Sequence, residues 1–129
     1  MRIRASIVRD QRGAVASEFA LVIGFAMITV LGLINGGLML YSYSNLHMAA
    51  ETTARWASIR TTVDGAAPGS TDLQAKGAGF YRGATAAPSF VGAAATCGMQ
   101  VTASTTFRLS LGLGSTPVSM SAKACYPLG

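Results

Sequence analysis

Between Phe19 and Leu40 the chain runs FALVIGFAMITVLGLINGGLML, 22 residues without a formal charge. A helix of that length spans roughly 33 Å, close to the ~30 Å hydrocarbon core of a bilayer. A chain of 129 residues has no second layer large enough to bury so long an apolar helix. The run therefore predicts a membrane span over residues 19–41. Arg2, Arg4, Arg9 and Arg12 precede it, and no charge follows it before Glu51. The positive-inside bias then predicts a cytoplasmic N-terminus, with residues 42–129 on the other side. A cleaved secretory signal expects a shorter apolar stretch, of about 7–15 residues, and a small-x-small cleavage site. Here Tyr41-Ser42-Tyr43-Ser44 follows instead.

The charge balance locates the basic character. Net charge is +5, and it falls to +2 without residues 1–13. The positive charge belongs mainly to the N-terminus, which argues against a nucleic-acid partner, since that needs a basic face on the folded domain. Only 12% of residues are charged, and of the hydrophobic half 22 are alanines. Large apolar side chains thin out after residue 63, so the C-terminal part can bury only a thin core and a large enzyme fold is out of reach.

Residues 41–60 contain neither Gly nor Pro, and Glu51 and Arg55 stand at i,i+4 spacing. One continuous helix over 14–60 is predicted, ending before Asp64-Gly65-Ala66-Ala67-Pro68-Gly69. Its extension carries a small-residue face (Leu46, Ala49, Ala50, Thr53, Ala57) and a larger one (Tyr41, Met48, Thr52, Trp56, Ile59). Residues 61–98 read as an Ala/Gly/Pro-rich connector with a short helix over 72–81, capped by Ser70, Thr71 or Asp72. Beyond it the period becomes two. Met99, Val101, Ala103, Phe107, Leu109 and Leu111 alternate with polar residues, as do Val118, Met120, Ala122 and Ala124. The fold class predicted is α+β: one long N-terminal membrane helix with a small antiparallel hairpin or sheet, residues 99–129, packed on it.

Cys97 and Cys125 are the two cysteines. Outside the cytoplasm they are in a disulfide-permissive compartment, and a bridge between them would stabilise a thinly cored head. A two-ligand metal site is poorly supported, because the single histidine, His47, lies in the membrane-proximal helix. With a bridge in place, a long loop over about 108–116 sets Val101 opposite Ala122 and Ala103 opposite Met120. A one-residue slip at the cysteines would then be absorbed by a bulge at Gly98.

The most informative segment is Arg12-Gly13-Ala14-Val15-Ala16-Ser17-Glu18-Phe19, where a basic leader ends in Gly and an acid stands five residues later. On its own, Glu18 could be an interfacial residue favoured by the positive end of the helix. The arrangement resembles a prepilin leader of the type IV pilin superfamily. That resemblance implies cleavage by a prepilin peptidase between Gly13 and Ala14, with Glu18, beside Phe19, neutralising a neighbour's new α-amine during assembly. An uncompensated ammonium and an acid in lipid become tolerable as a pair. The run RGAVASEFALV lacks the aromatic that twitching-type pilins place after the Gly. It is similar instead to the TadE family of the tight-adherence (Tad/Flp) pilus, as is AAETTARWAS at residues 49–58. Residues 101–107 and 118–124 are like that family's C-terminal strand pair. The family usually carries an acid in the later span, where Asn35 stands here.

Gly32 and Gly36 are spaced for close helix packing in a membrane, or for a loosened helix in a filament. His47 has no cysteine or acid in phase with it for catalysis and reads as a headgroup-level residue; Tyr41, Tyr43 and Trp56 suit an interfacial belt or helix packing. No nucleophile elbow, phosphate loop, paired carboxylates or metal spacing is present, so no enzyme, cofactor or small-molecule substrate is expected. The expected function is a minor pilin or pseudopilin of the bacterial inner membrane, assembling with other pilins into an extracellular adhesive filament. A major structural pilin is a second reading. A third is an uncleaved single-span protein displaying a periplasmic binding module.

Overall fold

The computed structural model describes residues 12–110, 112 and 114–129, with only the backbone of Arg12, so the expectations placed on residues 1–11 and on Leu111 lie outside the described residues. Helix α1 runs Arg12–Asp64, 53 residues. It continues about one turn past the predicted end at Arg60. There Arg60 pairs with Asp64 at 3.4 Å, and the chain leaves the helix at Gly65, whose φ is 71°. The expected Glu51–Arg55 pair does not close to ion-pair distance. Hydroxyls of Thr29, Thr52, Thr53, Thr61 and Thr62 donate to carbonyls four residues back, which keeps them satisfied along the helix.

Two compact units divide at Ile34 and Asn35. In the first, residues 13–31 are exposed throughout, including Phe19, Leu21, Val22, Phe25 and Met27. The most apolar 18-residue window of the helix has mean hydropathy 2.2 and none of it is buried. Such a surface needs lipid or another apolar partner, and the chain is a single-pass membrane protein by this helix.

The second unit, Asn35–Gly129, has a core. A three-stranded antiparallel sheet, in the order β1 (Ser89–Ala95), β2 (Gly98–Ser110), β3 (Ser115–Tyr126), packs one face on the helix. Phe90, Met99, Val101, Ala103, Phe107, Met120 and Ala122 form one buried cluster with Leu46, Ala49, Ala50, Ala54 and Ala57. The small-residue face predicted on the helix is the buried one, because alanines let the backbone approach the sheet, while Tyr41, Met48 and Ile59 of the larger face stay exposed. Asn35 is tied to Ser110 and Ser58 to Pro127. The 23 helical and 11 strand residues between these levels each cover roughly 35 Å, so β2 and β3 lie alongside the helix.

Three sequence expectations are corrected. The segment read as connector contains a strand, β1, which turns into β2 through Thr96 and Cys97, with Ala95 opposite Gly98. The β2–β3 register sets Val101 opposite Ala124 and Ala103 opposite Ala122, two residues from the expected pairing. A two-residue shift keeps the same side chains on the core face, so periodicity alone cannot detect it. Gly98 therefore makes no bulge. It follows the turn at φ 121°, and a Cβ there would strike the Tyr126 carbonyl.

Helix α2 spans Ser70–Phe80, and its N-cap is Gly69, with no side-chain cap bond. Expected caps Ser70, Thr71 and Asp72 fall inside the first turn instead. Gln74 takes up the outer side of edge strand β1. Its amide donates to the Pro88 carbonyl at 2.7 Å and accepts from the Phe90 N–H at 2.8 Å, closing an edge that would otherwise be open. A Cβ at Gly77 would run into the Phe90 ring. Gly77→Ala is accordingly expected to destabilise the head by about 1–3 kcal/mol, the usual penalty of overpacking, read as an earlier thermal transition in detergent.

Cys97 and Cys125 are joined in a disulfide with their Cα atoms 6.2 Å apart. The bridge runs from the β1–β2 turn to β3, opposite Gln100, so it staples a turn to a neighbouring strand.

Candidate functional site

The residues singled out for processing and assembly lie in the first two turns of α1. The described helix begins at Arg12, so the Gly13–Ala14 bond lies in its first described turn. Ser17 Oγ donates to the Ala14 carbonyl at 2.8 Å. Nothing would lie within 4 Å of a Cβ at Gly13. Glycine in a helix costs about 0.5–1 kcal/mol relative to alanine, and no contact among the described residues explains its use here.

Glu18 is exposed and has no ion-pair partner among the described residues. Its surroundings are apolar: Phe19 is 65% exposed, and Leu21 and Val22 follow. Among the described residues, then, a carboxylate stands on an apolar cylinder with no ion-pair partner. Sites for a Cβ at Gly24, Gly32, Gly36 and Gly37 are likewise open, so none of these glycines is explained by contacts among the described residues.

At the other end of the apolar run, Asn35 Nδ2 donates to the Ser110 carbonyl at 2.9 Å. This residue, read from the sequence only as standing where an acid was expected, holds the end of β2. A single amide in an otherwise apolar stretch was the available signal. Tyr41 donates to the Arg82 carbonyl at 3.1 Å, Ser42 Oγ accepts from the Ala84 N–H, and His47 meets the Tyr43 ring edge-on with centroids 5.2 Å apart. These contacts give His47 and the tyrosines packing roles.

A surface cleft of 590 Å³ is lined by Glu51, Thr52, Arg55 and the 123–126 end of β3. It contains no nucleophile–base pair, and among the described residues no three metal-ligating side chains gather. What the geometry offers is surface: an uncovered apolar helix with one acid near its start.

The TadE-like protein family model matches residues 13–55, a stretch that begins at the Gly13 of the leader motif and takes in the apolar run and the extension to Arg55. No curated protein and no solved structure shows a significant match to the chain. The family is one of structural rather than catalytic components. Over residues 13–55, a third of its length, the chain is similar to the TadE-like protein family.

Proposed function

We propose that the chain is a minor pilin or pseudopilin of the tight-adherence system, inserted with its N-terminus in the cytoplasm and its head outside. A prepilin peptidase cuts it between Gly13 and Ala14. The mature chain then joins other pilins through its apolar helix, Glu18 pairing with the α-amine of a neighbour. The observation that carries this reading is the pairing of a glycine that meets no other residue with an acid that has no ion-pair partner, both among the described residues, near the described start of an uncovered apolar helix. Each is costly in the isolated chain, and each finds a use only with another protein: a narrow peptidase cleft for Gly13, a partner amine for Glu18. The TadE-like match over the same residues supports it.

The test is substitution at the proposed cleavage site. In a host carrying the matching peptidase, Gly13→Leu should accumulate as full-length precursor in the membrane while the parent chain is shortened, as read by immunoblot. Equal mobility of the two would remove the processing step from the proposal.

A further inference from the structure

The Ser110 end of β2 reaches the level of Asn35, and Asn35 lies inside the apolar run that ends at Leu40, before the polar Tyr41-Ser42-Tyr43-Ser44. The five residues between them correspond to about 7.5 Å along the helix axis. The sheet therefore does not stop at the surface that the hydropathy pattern assigns to the bilayer. It extends past that surface by a depth equal to that of an interfacial insertion, about 5–10 Å.

Three further observations agree with this placement. The hairpin end carries no charge between Arg108 and Lys123. Of its described residues, Leu109 packs on the core and Ser115 and Thr116 are exposed. Tyr41 and Tyr43, 51% and 43% exposed, stand just beyond Leu40, where amphipathic rings settle at headgroup level. The charges are also sorted by level. Arg82, tied to Tyr41 through its carbonyl, and Arg108, two residues before Ser110, are exposed and are the charged groups nearest this end. The acids of the unit, Glu51, Asp64 and Asp72, lie at least 16 helical residues from Asn35 or on α2 beyond them.

We propose that this end of the head is a lipid-contact surface. The Ser110–Ser115 end of the β2–β3 ladder rests in the acyl–headgroup boundary of the leaflet at the C-terminal end of the span, with Arg82 and Arg108 on lipid phosphates. The head is thereby held against the bilayer at a second point besides the helix. This rests on the single-pass membrane helix and not on the pilin reading, so either can fail alone.

The full chain, reconstituted at low protein-to-lipid ratio, tests it. In a Trp56→Phe background, Ser115→Trp places a reporter at the hairpin end, and Ser121→Trp places one on the same sheet face six residues away, about 20 Å up the strand. Lipids brominated high on the acyl chain should quench the first at least about twofold more than the second, as an interfacial depth requires. Equal quenching would overturn the proposal. So would a blue-shifted but unquenched Ser115→Trp reporter, which would mean that protein rather than lipid covers it. Adding phosphatidylglycerol to phosphatidylcholine vesicles should raise quenching at Ser115→Trp, and Arg82→Gln/Arg108→Gln should remove that rise. A rise that survives the double substitution would overturn the phosphate contact. Retention of the Cys97–Cys125 bridge on a non-reducing gel certifies that each variant is folded.

Discussion

Glu18→Ala is expected to leave the chain processed and membrane-bound but excluded from filaments. Its carboxylate has no ion-pair partner among the described residues and sits on an exposed apolar surface. Near the bilayer centre an isolated carboxylate costs about 2.5–3.5 kcal/mol, and pairing with an α-amine offsets that for both groups. The cost falls on the neighbour as well when the acid is removed, since its ammonium is then left alone in lipid. Loss should therefore be large, at least about tenfold for ~1.4 kcal/mol of lost pairing, in the ratio of sheared-filament to membrane signal. Glu18→Gln, which keeps the shape and removes the charge, should fail as well. Incorporation of either variant at the parental level would rule out the charge pair.

Removing the disulfide should have the largest effect on the head itself. The bridge closes a separation of 28 residues, which in the chain-entropy model contributes about 3.5 kcal/mol. That is a large share of the ~5–15 kcal/mol stability of ordinary domains. This core is built largely from alanines, with Leu46, Leu73, Phe90, Val101 and Phe107 among its few large members, so little else replaces the lost constraint. Cys97→Ser/Cys125→Ser should lower the thermal midpoint of the β-sheet signal by on the order of 15 °C. Dithiothreitol should do the same to the parent, because Cys97 is exposed and open to the reductant. A midpoint unchanged by both treatments would show that the sheet holds without its staple.

Much of the architecture could be read before any coordinates. The span follows from 22 charge-free residues, and the buried helix face from the spacing of Leu46, Ala49, Ala50, Thr53 and Ala57. Two long strands follow from clean alternation. Strand β1 was not legible because SFVGAAA holds only Phe90 and Val91 as large strand formers. It is a strand through its setting: a two-residue turn delivers it to β2, and Gln74 satisfies its outer edge. The register was missed by two residues because alternation is blind to even shifts. The disulfide does not fix the register either, because Cys97 lies in the turn and not in the ladder. Asn35 shows the same limit for the head's placement. Its identity was visible, but its partner, Ser110, is 75 residues away and only the fold brings them together.

Gly13, Ala14, Glu18 and Phe19 form a pattern in the sequence, and the contacts among the described residues assign them no role, because the role proposed for them needs a second protein. The intact mass of protein purified from the membranes of a host with the matching peptidase tests the central claim most directly. A chain beginning at Ala14 is the result predicted; a chain still beginning at Met1 would contradict it and leave an uncleaved membrane anchor displaying a periplasmic head.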